Sequence, residues 1–304
     1  MSALDAAPAG SVAPPVARGI GPWAQAWRRL ARNPWAVVGA SLLLLVGLLC
    51  ALGPYVIPGF PDPESTNPAN HNQGPSGAHW FGTDSLGRDC FARVLVGGQM
   101  SLLVGLVATF VSVFIGTLWG AVAGYYGGRL DEVMMRFVDF LYGIPYMFLV
   151  ILITLMFEDK DRGNSLPIFA ALGAVQWLSM ARIVRGQVIG LRHQEFVLAA
   201  RTAGASDARI IGRHILPNCV GPIVVYATLT VPAVILLESA LSYLGLGVDL
   251  SWGRLVDEGV AVINGIQVDW WLLLFPSLFL AVTLLSLNLV GDALRDAVDP
   301  KTRR

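Results

Sequence analysis

Charge is scarce in this sequence, and lysine is nearly absent. Only 14% of the 304 residues are Asp, Glu, Lys or Arg, where an ordinary soluble domain has about a quarter. The two lysines are Lys160, which follows Asp159, and Lys301, which follows Pro300. Neither stands in the Gly-Lys-Ser or Gly-Lys-Thr setting of a phosphate-binding loop, so no P-loop for a nucleotide exists here. The four histidines (His71, His79, His193, His214) are scattered, and the three cysteines (Cys50, Cys90, Cys219) have no paired spacing. A disulfide framework and a His/Cys metal site are therefore not expected. No nucleophile elbow is present, and the expectation is a chain with no catalytic residue, no metal and no cofactor of its own. Acidic and basic residues balance at 21 each, so no excess of positive charge suggests binding to nucleic acid.

What the sequence does have is apolar length. Hydrophobic residues make up 55% of it, gathered in six uncharged or nearly uncharged segments. These run from about Trp35 to Ile57, Met100 to Tyr125, Val133 to Phe157, Leu166 to Ile189, Cys219 to Leu246 and Trp271 to Val290. A spanning helix needs about 20 such residues, and in lipid the backbone must be satisfied within the segment, which selects helices. The short alternating strands of a membrane barrel are absent. The first run is too late and too long for a cleaved signal peptide. The predicted fold class is an all-α integral membrane bundle of six spans.

Arginine sets the orientation. With both termini on one side, that side collects Arg18, Arg28, Arg29 and Arg32, then Arg129 and Arg136, then Arg182, Arg185, Arg192, Arg201, Arg209 and Arg213, and finally Arg295, Lys301, Arg303 and Arg304. The other side keeps Arg88, Arg93, Lys160, Arg162 and Arg254. The excess places both termini in the cytoplasm. The expected organisation is a cytoplasmic tail with a short amphipathic segment (1–34), a first span (35–57), an extracytoplasmic segment (58–98), a core of five spans (99–291) and a cytoplasmic tail (292–304). Inside the core lies a basic cytoplasmic loop, 190–218. Loops as long as 58–98 and 190–218 are usually functional.

In the basic loop, Ala199 and Ala203 are four apart, as are Ala200 and Gly204, so each pair shares a helix face nearly bare of side chain. Such a face lets another protein approach the backbone. Gly204 suits a turn or C-cap, and Ser206 or Asp207 suits the cap of a following helix. The same pattern also fits a solvated amphipathic loop at the membrane surface.

This loop resembles the EAA loop of ABC importer permeases, whose pattern is Glu-Ala-Ala, three residues, Gly, then a later Leu-Pro. Ala199, Ala200, Gly204, Leu216 and Pro217 match at the family spacing. The resemblance implies that Glu195, Leu198, Ala199, Ala200, Arg201, Ala203, Gly204, Ala205, Ser206 and Pro217 belong to a coupling loop that docks on a cytoplasmic ATPase. Leu198 holds the place of the family's first Glu, and Glu195 belongs to the preceding Glu-Phe-Val. Docking is thus expected through the small face rather than through a salt bridge from that position.

Four further stretches resemble the C-type subunit of oligopeptide permeases: His79–Asp89, Trp177–Gln187, Leu237–Gly247 and Gly291–Pro300. The likeness runs from about residue 23 to the C-terminus. It implies a type I, MetI-like permease of the bacterial inner membrane, active in oligopeptide import by alternating access. The implied partners are a second, different permease, two ATP-binding subunits that hold ATP and Mg, and a lipid-anchored or soluble peptide-binding protein outside. Dipeptide, nickel and antimicrobial-peptide systems belong to the same group. From the residues alone, a self-sufficient secondary transporter or channel and a membrane scaffold are the competing classes.

Ionisable residues inside spans are costly and mark function by default. Asp139 and Glu238 are the candidates for the translocation path or its gate. Asp139 lies three residues after Arg136, the spacing of a helical ion pair. Glu238 has no basic neighbour in its helix and must face the bundle interior, water or a partner, or keep its proton. Pro145, Pro222, Pro232 and Pro276 interrupt spans and kink them. In the outer segment, Thr83, Asp84, Arg88 and Asp89 lie in turn-forming sequence and are candidate contacts for an external partner, or else pack against the second permease. A short interfacial helix is expected near Leu86, Val94 and Leu95. Trp252, Trp270 and Trp271 suit the membrane interface.

Overall fold

A computed structural model describes residues 22–158, 166–263 and 268–298. The helices are α1 (Pro22–Arg32), α2 (Pro34–Val56), α3 (Cys90–Tyr126), α4 (Gly128–Gly143), α5 (Tyr146–Glu158) and α6 (Leu166–Leu191). They continue with α7 (Glu195–Thr202), α8 (Asp207–Ile210), α9 (Leu216–Tyr243), α10 (Trp252–Val262) and α11 (Trp270–Val298). Among the described residues the only strand-like pairing is an isolated antiparallel bridge between Thr83 and Asp89. Lys160, Arg162 and the ends of both tails, with Arg18, Lys301, Arg303 and Arg304, lie outside the described residues.

The expected amphipathic segment of the N-terminal tail is α1. A single residue, Asn33, separates it from α2. The Asn33 side chain accepts from the amides of Trp35 (3.0 Å) and Ala36 (3.4 Å), and Pro34 follows at the first helical position. Both are helix-start signals, because the first amides of a helix have no partner within it.

α3 is longer than its apolar run. It begins at Cys90, capped by the Asp89 carboxylate accepting from Ala92 N at 3.0 Å. Residues 90–98, expected as outer segment with a separate interfacial helix, are its first turns. They are helical there because Ala92, Val94 and Leu95 are buried. α3 is the central element: close approach of α6 is possible because residue 120 is Gly, where a Cβ would meet the Ala181 carbonyl.

The expected third span is two helices. Pro145 has no amide to donate and forces the residue before it into extended backbone; Ile144 has φ −85° and ψ 127°. α4 therefore stops at Gly143 and α5 begins at Tyr146. α4 carries Arg129, Asp131, Glu132, Arg136 and Asp139 and buries little besides Val138. Among the described residues four helical runs are long and apolar enough to cross a bilayer: Pro34–Val56, Cys90–Tyr126, Asp207–Tyr243 and Trp270–Val298. The expected third and fourth segments correspond to α4–α5 and α6.

The run from Asp207 to Tyr243 is continuous because a π-turn, Ile211–Ile215, joins α8 to α9. Leu216 N–H donates to Ile211 O, five residues back. Pro217 follows, and its ring would strike the carbonyl four residues before it in a tight α-turn; the wider turn gives it room.

The core is built around α3. Val104, Ala108, Leu172, Val234 and Leu241 join α3, α6 and α9. Cys50, Val94, Leu95 and Trp252 join α2, α3 and α10. Trp252 is fully buried and donates to Val94 O at 2.9 Å; Trp271 is 9% exposed and donates to Thr83 O at 3.1 Å. Of the three tryptophans expected at the membrane interface, only Trp270 is exposed. All three cysteines are free and buried.

Candidate functional site

The basic loop rests on a hydrophobic floor made of Ala121, Tyr125, Val184, Val188, Val197, Ile210 and Ile215. α7 turns Val197 fully inward and Ala200 partly so, while Phe196, Leu198, Ala199, Arg201 and Thr202 face out. The helix then closes through Gly204 in the left-handed region, φ +78°. Ala205 N–H donates to Ala200 O (3.0 Å) and Gly204 N–H to Arg201 O (3.0 Å), the paired bonds of a Schellman C-cap. The expected Ala200–Gly204 face does not form, since the helix ends at Thr202 and Ala200 packs inward. The bare surface is Ala199, Ala203 and Gly204, flanked by Leu198 and Arg201. Glu195, one turn before Ala199, rims the same face.

Side chains tie this loop to the end of α3. The Tyr125 hydroxyl donates to Asp207 Oδ1 (2.6 Å) and accepts from Arg201 Nη2 (3.2 Å), with the Arg201 guanidinium 5.7 Å from the Tyr125 ring centre. Arg192 Nη1 donates to Gly124 O at 3.0 Å. Ser206 occupies the N-cap position of α8 without a side-chain capping bond; its neighbour Asp207 is engaged by Tyr125 instead. Asn218 Nδ2 donates to His214 O at 2.7 Å beside the π-turn that accommodates Pro217.

Glu238 does not reach a surface of the chain. It is fully buried and accepts from Ser242 Oγ at 2.5 Å. Ser251 Oγ donates to Ser242 Oγ (3.1 Å) and accepts from Arg254 N (3.3 Å), capping α10; Trp252 N–H donates to Ser101 Oγ (3.1 Å). This buried chain of hydrogen bonds joins α9 to α10 and α10 to α3. No basic side chain pairs with Glu238 among the described residues.

Asp139 pairs with Arg182 of α6 (2.7 Å), not with Arg136. Arg136 lies exposed on α4, while Arg182 also covers the Tyr142 ring at 4.0 Å. The pair belongs to a ladder between α4 and α6. Arg185 holds Asp131 with two bonds, 2.5 and 2.7 Å, and the Tyr142 hydroxyl meets Ser179 Oγ.

At the opposite end of the bundle, three of the four candidate contact residues are buried. Thr83 is 0%, Asp84 5% and Asp89 5% exposed. Asp84 accepts from the amides of Leu86 and Arg88 (2.9 Å each), from Arg88 Nε (2.7 Å) and from Arg93 Nη1 (3.1 Å). Asp89 caps α3 and pairs with His79 at 2.8 Å. Thr83 Oγ1 accepts from Gln73 N at 2.9 Å and donates to Asn70 O. These groups hold the segment together; Arg88 alone of the four keeps some surface. Sequence reading missed Arg93 and Glu258. Arg93, 5% exposed, donates to Glu258 Oε2 at 2.6 Å and so fastens α3 to α10. A cavity of about 240 Å³ lies beside them, bordered by Asp84, Arg88, Leu255 and Pro276. Among the described residues no cluster of three or more His, Cys, Asp or Glu is placed to hold a metal.

Residues 116–304 match the family described as binding-protein-dependent transport system inner membrane component, and residues 21–75 match the N-terminal transmembrane domain of oligopeptide transport permease C. The chain belongs to the binding-protein-dependent transport permeases. This permease is 46% identical to the oligopeptide transport system permease protein OppC of Escherichia coli K12, over 92% of either chain. It is 44% identical to the dipeptide transport system permease protein DppC of Bacillus subtilis, over 92% of this chain and 86% of that one. Among solved structures, the inward-facing MetNI methionine ABC transporter superposes with a TM-score of 0.55 at 18% identity, covering 68% of the permease and 96% of that chain. That likeness is one of fold. The permease is accordingly a multi-pass inner-membrane component of a solute transport system.

Proposed function

We propose that this permease forms half of the translocation path of an ATP-driven oligopeptide importer and couples that path to a separate ATPase. The observation that carries the coupling is the exposed, side-chain-poor surface of Ala199, Ala203 and Gly204, presented on a capped helix anchored to α3. An ATPase surface reaches the backbone there, with Leu198 and Arg201 at its margin. Motion of the docked loop passes to α3 through Tyr125 and Arg192, and to α9 through the π-turn. Alternating access follows when nucleotide binding closes the ATPase pair and moves this loop on both permeases.

The positive-charge excess supports cytoplasmic termini and a cytoplasmic basic loop. The remaining partners would be a second, different permease, two ATP-binding subunits carrying the ATP and Mg, and an external peptide-binding protein; this chain would contribute no catalytic residue and no cofactor. Relatives named for oligopeptides and for dipeptides cover the same share of the chain, which fits selection of peptide length by the binding protein. Of the four outer candidates, Arg88 keeps the surface for contact with that protein.

Co-purification tests the assembly. A tagged chain extracted in mild detergent should retain a second permease and ATPases. Purification alone, with solute movement in ATP-free liposomes, would mark a secondary transporter. Gly204→Trp tests the docking face. The structure has nothing within 4 Å of a Cβ at Gly204, so the indole projects into the docking space, and ATP hydrolysis should no longer drive uptake although the protein inserts. Normal transport by this variant rules out docking on that face.

A further inference from the structure

We propose that the open face on which Asp139, Tyr142, Ser179, Arg182 and Tyr226 meet is a wall of the solute path, where the Asp139–Arg182 pair and the hydroxyls beside it receive the charged ends and amide groups of a passing peptide. The proposal rests on the peptide-importer reading and adds to it the site inside the membrane.

Position is the first argument. Arg192, bonded to Gly124 O, marks the level at which α3 ends. Arg182 lies ten residues back along α6, about 15 Å at 1.5 Å per residue. That places Arg182 inward of the α3 end, within the length of a span. Tyr142 and Ser179 lie higher still, and Tyr226 of α9 closes on the same Ser179. Three helices thus contribute polar groups to one patch inward of the α3 end.

Exposure is the second. The Arg182 and Asp139 side chains are 46% and 59% exposed. Charged groups at that depth do not face lipid tails; they face water or protein. Charged residues are also depleted from the cores of protein interfaces. A water-filled path takes both the charges and the exposed aromatic Phe140 beside them, which is 68% exposed. Because acid and base are paired, the wall has no net charge there and traps peptides of neither sign. α4 is bounded by Gly127 and Gly128, at φ +67° and +56°, and by the break at Ile144–Pro145.

The test uses the assembled transporter in proteoliposomes with its binding protein, and two readouts. First, Phe140→Cys is treated with a charged, membrane-impermeant thiol reagent; the buried native cysteines keep the background low. Reaction in the assembled complex is expected, with Leu48→Cys, on the outward face of α2, unreactive. Reaction in the isolated chain but not in the complex assigns the face to the partner permease; no reaction in either assigns it to lipid. Both outcomes overturn the proposal. Second, competing uptake of Ala-Lys-Ala-Ala and Ala-Glu-Ala-Ala is measured. Arg182→Gln should shift the ratio toward the lysine peptide and Asp139→Asn toward the glutamate peptide, each by up to about fivefold, the scale of one solvated charge interaction. Equal loss for both peptides means the pair is only structural. The unsubstituted transporter is assayed alongside: if it takes up no peptide, the importer reading fails, while the labelling pattern still reports what covers the face.

Discussion

The two ends of the bundle use polar residues in opposite ways. At the end built from residues 58–89 and α10, charges are turned inward and bonded to one another: Arg93 bridges Asp84 and Glu258, Arg88 joins them, and His79 meets Asp89. At the basic-loop end the floor is apolar, and the outward surface is small, capped and open. The first end is satisfied within the chain; the second presents a surface that only another molecule can cover. Motif density alone misleads here, because the outer segment is as rich in distinctive residues as the basic loop.

Glycine gives the strongest way to break this comparison. Gly87 and Gly204 share nearly the same left-handed φ, +72° and +78°. A Cβ at Gly87 would collide with the Asn67 carbonyl, whereas one at Gly204 meets nothing within 4 Å. Gly87→Ala should cost about 4 kcal/mol or more, the range reserved for steric and strain failures, and folded protein in detergent should fall sharply. Arg93→Ala comes next. It leaves Asp84 and Glu258 without their buried cation, at about 3 kcal/mol, and thermal unfolding should begin several degrees lower. Gly204→Ala isolates the backbone term alone, about 1 kcal/mol. An equal loss at Gly87 and Gly204 would dissolve the contrast. Tyr125→Phe sharpens it from the other side. Loss of the Asp207 bond removes about 1 kcal/mol and should raise amide exchange across residues 195–207 while leaving α10 unchanged.

Much of this architecture was legible in the residues. Apolar length marked where the long helices lie, although α3 begins ten residues before its apolar run and the third segment divides at Pro145, and Gly204 announced its own turn. Other features depended on contacts distant in sequence. Asp139 had Arg136 one turn away, yet α4 turns it toward Arg182, 43 positions later. Arg93 reads as one more surface charge until Glu258, 165 residues on, comes beside it. Thr83, Asp84 and Asp89 look like loop-tip residues by composition; their burial follows from the fold of the whole segment against α3 and α11. Ser242, four residues after Glu238, was within reach by helical spacing. Ser251, which closes that network, belongs to a different helix start.

The continuous helical run from Asp207 to Tyr243 has a mechanical consequence. Its 37 residues follow a path up to about 54 Å long at 1.5 Å per residue, with Pro222 and Pro232 inside it. Rotation by about 5° around the Asp207 end carries the Tyr243 end sideways by nearly 5 Å, about half the usual distance between packed helix axes. Glu238 and Ser242, which secure α10 through Ser251, sit near the swinging end, so a small rotation at the basic loop becomes a larger displacement beside α10.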